Sequence, residues 1–391
     1  MQTTIRLFSL CLLILGFYTC QPTPEKKQPV DWVDPQIGSV HCRWFFYTPA
    51  ALPMGMAKLA PTTNAYGSYG SWLPCGYDDR HTSIEGFAHF HEFQIGGVVT
   101  IPTTGELKTL PGTLEDPDSG YRSRIDKTTE VSTPGYYAVT LTDYNIKAEI
   151  TATTRTGFHR YTFPKSTTSR ILFDIGHKQG ESATITDAEV TYHPETNEVT
   201  GWVENYPIYA TFCQPNGKIK IFFAAKLDKK PQTIGTFIDE KIQENSNSVK
   251  GPGCGLYLTF QTKAKEQIQM QVGLSYTDIE NARNNRDSEA TGKSFDDVKN
   301  AAHPSKEERE NVLKEIRQLE NRKKILENKQ RNEERRVRTR RLIERGAILE
   351  GIFPLASNLS GAEVKAFLIA LSHLPGAAEL TANLPKSGDT P

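Results

Sequence analysis

The sequence predicts a mostly β protein, an antiparallel β-sandwich followed by a long charged α-helix and a short helical tail. Three observations predict it. Between about residues 98 and 276, short β-rich runs recur between Gly, Pro, Asn and Asp, as in Tyr136 to Thr142, Ile146 to Thr153, Phe158 to Phe163 and Gln267 to Ser275. Most alternate apolar and polar residues, as Ile268-Gln269-Met270-Gln271-Val272 does, which is the period of a strand with one buried face. From Ser305 onward the pattern changes to an unbroken, charge-rich stretch with a helical start signal. Many strands spaced by turns, without long helices among them, imply two packed sheets.

The elements follow in chain order. Arg6 and the apolar run Leu7 to Tyr18 form an export signal, too short for the ~20 residues a spanning helix needs. Leu15-Gly16-Phe17-Tyr18-Thr19-Cys20 resembles a bacterial lipoprotein box, so residues 1–20 are expected to be a lipoprotein-type signal peptide and Cys20 the acylated residue. The protein is then expected in the cell envelope, anchored to a membrane by lipid. Residues 21–30, with their prolines and lysines, read as a tether. Residues 31–276 form the sandwich, with a hairpin signal at Asn216-Gly217 and a turn at Gly251-Pro252-Gly253. Residues 277–302 read as a helical linker, Asp278 to Asn285 and then Ser294 to Ala302, the second opening with Ser294 and Asp297 at capping-box spacing.

Residues 303–391 form the tail. Ser305 and Glu308 stand at capping-box spacing ahead of a long helix, and Ser360 precedes a second, apolar helix from Gly361 to Leu374. Val312, Ile316, Leu319 and Leu326 fit a heptad seam whose continuation falls on Lys323, Gln330 and Glu333, which supports a coiled coil only weakly.

Charge separates the two parts. The chain has 46 Lys+Arg and 46 Asp+Glu, which argues against a uniformly basic nucleic-acid binder and against an acidic disordered chain. That balance is a cancellation, because residues 303–391 hold 17 basic and 13 acidic groups. With 37% hydrophobic residues a sizeable core is within reach. No extended apolar run follows the first 20 residues, which excludes a multipass membrane protein. Beyond Cys20, Cys42, Cys75, Cys213 and Cys254 allow three complete pairings, and four buried thiols are an equal alternative. Without a CxxC spacing, a structural zinc site is not expected.

Chemistry-bearing residues concentrate before residue 103. In Phe87-Ala88-His89-Phe90-His91-Glu92-Phe93 the odd positions share one face of an extended segment. Two histidines between aromatics form either the lining of a polar pocket or core histidines satisfied by backbone carbonyls. A metal site from His89, His91 and Glu92 lacks a further ligand placed by the sequence.

Asp34 to Gly38, the PAALPMGMAKLAPTT run of 49–63, CGYDDRHTSIEGFAHFHEFQIGG at 75–97 and GLSYTDIENARNN at 273–285 resemble the N-terminal domain of glycoside hydrolase family 92, the exo-acting α-mannosidases. The resemblance runs from about Val30 to Ala302. It implies an N-terminal β-sandwich followed by an (α/α)6 barrel, and calcium-dependent inverting enzymes acting on terminal α-linked mannose of glycans. Where many members have a His-Leu-Ser-Gly-Thr-Gly run, this chain has His91-Glu92-Phe93-Gln94-Ile95-Gly96-Gly97. An inverting glycosidase needs a carboxylic acid and a carboxylate flanking a water. The resemblance implies that these, and most calcium ligands, come from the barrel, where this chain has its tail instead. The expectation is a truncated, exported, mannoside-binding sandwich with no catalytic residues, no calcium in this fragment and no hydrolysis alone. By motif position the substrate-contacting candidates are Trp72, Asp78, His89, His91 and Glu92. Trp72 stacks on a sugar ring in this reading, and Asp78 takes its hydroxyls; the alternatives are a core aromatic and a turn residue.

The tail segments RTRRLIERGAILEGIFP at 338–354 and LSGAEVKAFLIALSHLPG at 359–376 resemble a family of small helical proteins from conjugative and mobilisable elements. Self-association through the tail helix is one expectation for it. The alternative is nucleic-acid binding through Arg335, Arg336, Arg338, Arg340 and Arg341, and a solvated charged helix is the plainer reading.

Overall fold

A computed structural model describes residues 29–40, 47–63, 76–91, 97–177, 184–207, 214, 216–302 and 306–382. The expected signal peptide with Cys20, the tether as far as residue 28, Ser305, and Cys42, Trp72, Cys75, Glu92 and Cys213 lie outside them. The chain divides into two compact units, residues 1–306 and 307–391.

In the first unit the strands are β1 (Ala50–Ala51), β2 (Lys58–Thr62), β3 (Ser83–Ile84), β4 (Gly86–Ala88), β5 (Val99–Thr103), β6 (Ser123–Thr133) and β7 (Tyr136–Leu141). There follow β8 (Ile146–Ala152), β9 (Thr156–Phe163), β10 (Ser166–Asp174), β11 (Thr184–His193), β12 (Glu198–Tyr206) and β13 (Ile219–Leu227). The series ends with β14 (Thr233–Ile238), β15 (Lys241–Glu244), β16 (Ser248–Lys250), β17 (Cys254–Thr262) and β18 (Glu266–Ser275). Among the described residues they form an eight-stranded sheet, β1-β2-β4-β5-β10-β17-β14-β15, and a ten-stranded sheet, β16-β11-β12-β13-β18-β9-β8-β7-β6-β3.

The apolar-polar alternation sets the faces. In β18, Ile268, Met270 and Val272 are buried while Gln269 and Gln271 are half-buried. In β11 the pairing with β12 shifts between Ile185 and Asp187, and this one-residue bulge lets Ile185 and Ala188 both face the core although their spacing is odd. Facing residues such as Phe173 and Phe223 stack across the core with ring centroids 6.3 Å apart. Cys254, at the start of β17, is a buried free thiol whose pKa burial pushes up to about 12, so it acts as a small apolar group.

Two helices close the unit. Helix α1 (Ile279–Ala290) starts at Asp278, which accepts the Asn281 N–H, and α2 (Phe295–Ala302) starts at the reciprocal Ser294–Asp297 capping box. Gly273 of β18 lets α1 lie flat on the sheet, since a Cβ there would come within 2.1 Å of the Ala282 carbonyl. Arg286 and Glu198 pair at 2.6 Å beneath α1, both nearly sealed from water, and Arg155 pairs with Glu289 at 2.6 Å.

The second unit is helical: α3 (Lys306–Ile352), α4 (Gly361–Ser372) and α5 (Ala377–Ala382). The Ser360–Glu363 capping box starts α4, and Phe353 meets Phe367 edge to face at 5.1 Å. Helix α3 is polar on nearly every side.

Candidate functional site

Residues 76–91 lead from a glycine turn through β3 and β4, and both polar networks below hang on them. Gly76 has φ +73°, and its carbonyl accepts the Thr63 N–H. The Asp78 N–H then donates to Thr63 Oγ1 at 2.9 Å. The Asp78 carboxylate has no exposed surface and accepts from Arg80 N and Nε, both at 2.9 Å. Burial alone raises its pKa, but the Arg80 hydrogen bonds and nearby charge outweigh burial and hold it below the usual carboxylate range. Asp78 is thus a fixed anion whose partner, Arg80, keeps 31% of its side chain in water.

The neighbouring network gave no motif in the sequence. Pairing of β6 with β7 breaks between Asp126 and Val131, and Asp126 Oδ1 caps the resulting turn by accepting from Thr128 N and Oγ1. That irregularity brings Lys127 and Glu130 to the same spot. Glu130 accepts from Tyr77 at 2.7 Å, Tyr137 at 2.6 Å and Lys127 at 2.6 Å, while Lys127 also donates to Asp79 at 2.8 Å. Gln36 adds a donor to Asp79 at 3.2 Å. The rings of Tyr47 and Tyr77 stack 4.1 Å apart, and burial keeps both phenols protonated. Glu130 is sealed at 3% exposure, whereas Lys127 and Asp79 remain about a third exposed at 32% and 39%. Such an array offers fixed donors and acceptors to a hydroxyl-rich ligand.

His89 and His91 point into the protein. The Val98 carbonyl lies against His89 Nδ1, so that nitrogen carries the proton and Nε2 accepts from His159 Nε2, 2.8 Å away. His159 Nδ1 then accepts from the Tyr161 hydroxyl at 2.8 Å, and Thr100 Oγ1 donates to Tyr161 at 3.1 Å. One proton arrangement satisfies all four groups, with both rings neutral. His91 donates from Nδ1 to the Tyr47 carbonyl at 2.7 Å, and its Nε2 lies against Gly76. Burial pushes His89 and His91 down to about 4 and His159 well below its usual value. The face shared by Phe87, His89 and His91 is therefore a core face, and these histidines brace the segment that carries Asp78. The reason is the second sheet: His159 and Tyr161 of β9 pack against His89 from the ten-stranded sheet, and an imidazole buried there stays neutral, His91 Nε2 being left without a hydrogen-bond partner among the described residues.

A third cluster is interior except for His177, which keeps 15% of its side chain exposed. Glu85 lies 3.8 Å from Arg122, and burial raises it to about 7. Asp174 accepts from Tyr121 and His177; burial pulls His177 down, but the Asp174 carboxylate at 2.6 Å overrides it and raises His177 to about 9. Glu85 is the carboxyl in this region shifted into an acid-catalyst range, and its side chain is 2% exposed. Among the described residues no three His, Cys, Asp or Glu side chains converge as a metal set.

Of the sequence candidates, Asp78, His89 and His91 lie within one segment, Asp78 alone beside a partly exposed charge. Trp72 and Glu92 lie outside the described residues. In the helical unit Arg335, Arg336, Arg338, Arg340 and Arg341 are all exposed on α3.

The protein was compared with known families and structures. Residues 305–380 match a family described as a protein of unknown function (DUF3847). No curated protein matches the chain. A family GH92 α-mannosidase from Bacteroides thetaiotaomicron superposes with a TM-score of 0.63 at 28% identity, over 71% of this chain and 37% of that one. The same enzyme in complex with mannoimidazole gives 0.62 at 28% identity, over 71% and 36%. An inverting mannosidase of family GH92 from Bacteroides thetaiotaomicron VPI-5482, at 21% identity and a TM-score of 0.57 over 71% and 36%, shares the fold. The chain spans little more than a third of the length of these enzymes. Residues 32–275 match the glycosyl hydrolase family 92 N-terminal domain, and over that stretch the chain belongs to this family.

Proposed function

We propose that the sandwich is a mannoside-recognising domain, carried by an exported and lipid-anchored protein, that does not hydrolyse glycans by itself. The observation that carries this reading is the structural likeness, at 28% identity, to an α-mannosidase that was solved with mannoimidazole. The Asp79–Lys127–Glu130–Tyr77 network supports it, because paired and partly exposed donors and acceptors suit sugar hydroxyls. The lack of hydrolysis is argued from chemistry. A general acid must hold a proton near neutral pH and reach the glycosidic oxygen. Asp78 is held ionised by Arg80, and Glu85 keeps a proton but is sealed beneath the sheets. In this reading the acid, the base and the calcium of the complete enzymes reside outside the N-terminal domain that residues 32–275 match.

Titration calorimetry of the full chain with methyl α-mannoside and with α-mannobiose tests the reading, alongside a turnover assay on a chromogenic α-mannoside with calcium added. Weak binding without turnover is expected. Turnover by a preparation free of contaminating mannosidase refutes the lack of hydrolysis, and no binding of either sugar refutes recognition. The anchor is tested by Cys20→Ser, which should move the protein from the membrane fraction to the soluble one.

A second reading concerns the tail. In the described residues of the helical unit Ala356 alone is buried, while Leu326, Val337, Ile348 and Ile352 stay 59–65% exposed on α3. We infer that α3 self-associates to cover them. Light scattering of the full chain should give a mass above the monomer, and a monomer at micromolar concentration refutes it.

A further inference from the structure

The arginine run of α3 is used by none of the chemistry above, and the helix sorts it into two populations. Between residues 321 and 345 there are eleven Lys or Arg and four Glu. Each of the four glutamates has a partner on the helix. Glu327 pairs with Lys323 and Glu333 with Arg336, both at 3.9 Å; Glu344 accepts from Arg340 at 3.1 Å, and Glu334 accepts from Gln330 at 3.1 Å. Lys324, Arg331, Arg335, Arg338 and Arg345 have no ion pair among the described residues, nor have Arg322, Lys329 and Arg341, and all are exposed, but the first five share one side of the helix. At 3.6 residues per turn these five fall within an arc of about 80°, while Arg336 and Arg340 lie on the opposite side. The stripe runs about 32 Å along the helix, from position 324 to position 345.

We propose that Lys324, Arg331, Arg335, Arg338 and Arg345 form a sequence-independent phosphate-binding face for duplex nucleic acid. Five positive charges in a line, with Glu327 and Glu334 along one edge of the arc, leave a net positive stripe that fits a linear polyanion, and a duplex presents one phosphate charge per ~1.7 Å of axis. The stripe is as long as about one helical turn of duplex, ~34 Å. Guanidinium groups match phosphate oxygens in bidentate geometry, which favours arginine over lysine at such positions. A membrane surface fits less well, because an interfacial helix needs an apolar face opposite its basic one, and Arg336, Arg340 and Lys329 occupy that side.

Fluorescence anisotropy of the full chain with a labelled random-sequence duplex of about three turns tests the proposal. Log affinity should fall with log salt at a slope of about −4.5 for five phosphate contacts, a loss of roughly 500-fold between 50 and 200 mM salt. The triple variant R331Q/R335Q/R338Q should lose most of the affinity at low salt and flatten the slope by about three. The double variant R336Q/R340Q, from the opposite side, should keep both. Helicity by circular dichroism should be the same for all three proteins, which separates lost contacts from a melted helix. The proposal is overturned by no duplex binding at 50 mM salt, by equal losses in the two variants, or by stripe-dependent binding to phosphatidylglycerol vesicles without binding to the duplex.

Discussion

Three histidines that are locked neutral inside one sandwich make its stability sensitive to mild acid. His89 and His91 titrate near 4 in the fold and near 6.5 when unfolded. Below pH 6.5 the unfolded chain therefore binds protons that the native state refuses, so their contribution is fully present above that pH and is lost as pH falls. From about pH 6.5 to about pH 5 each of the two removes about 1.6 kcal/mol. Glu85 acts the other way: raised from 4.5 to about 7, it holds a proton in the native state that the unfolded chain lacks, and over the same window it adds about 1.7 kcal/mol. His177, raised to about 9, is already protonated in the native state at pH 6.5, and its contribution grows by only about 0.4 kcal/mol as the unfolded chain passes below its own pKa. The net is a loss of about 1.1 kcal/mol before His159 and His81, also pushed down by burial, add to it. With a urea slope of about 3 kcal/mol/M, the midpoint should fall by at least ~0.4 M between pH 6.5 and 5. Urea titrations followed by tryptophan fluorescence at the two pH values measure this. A midpoint that is unchanged, or higher at pH 5, refutes the assignment of neutral, internally bonded histidines.

Three further outcomes are expected. Gly76→Ala places a Cβ 2.4 Å from His91 Nε2 at φ +73°, whereas Gly105→Ala, at φ +87°, meets nothing within 4 Å. Gly105→Ala should cost about 1 kcal/mol for the left-handed backbone and Gly76→Ala at least about twice that by denaturant titration; equal costs would show that His91 yields freely. Glu289→Ala removes the acceptor shared by Thr153 and Arg155 and should cost the sandwich about 2 kcal/mol by thermal melting, and a wild-type melting temperature would mean that α1 docks through apolar contact alone. Ser360→Ala breaks the capping box of α4 and should lower helicity at the end of the chain by an amount worth about 1 kcal/mol, read as faster amide exchange over Glu363 to Leu368 and as no change in the sandwich.

Strand existence was legible because it depends on local chemistry. The alternation in β18 buries Ile268, Met270 and Val272 whatever the neighbouring strand is, and the Ser294–Asp297 and Ser360–Glu363 boxes close within three residues of themselves. Helix α1 runs five residues past the expected Asn285 because Arg286 and Glu289 find partners on β12 and before β9, contacts that a local pattern does not contain. The candidate site divides in the same way. Asp78 was marked by its motif, and its Arg80 partner is two residues away. Glu130 and Lys127 carried no signal, because their meeting with Asp79 and Tyr77 depends on a break in β6 pairing and on chain separations of about fifty residues.

The histidines show where the boundary falls. Period-two spacing put Phe87, His89 and His91 on one face, and the structure keeps them there; whether that face meets solvent or core is a property of what covers it. The amino-acid sequence by itself determined the strand and helix inventory, the charge division between sandwich and tail, and the run of arginines. Only the tertiary structure decided that the histidine face is interior and that Glu130 gathers three donors. Local hydrogen bonding and side-chain period act over a few residues, whereas burial and charge pairing are set by neighbours that the chain brings from far along its length.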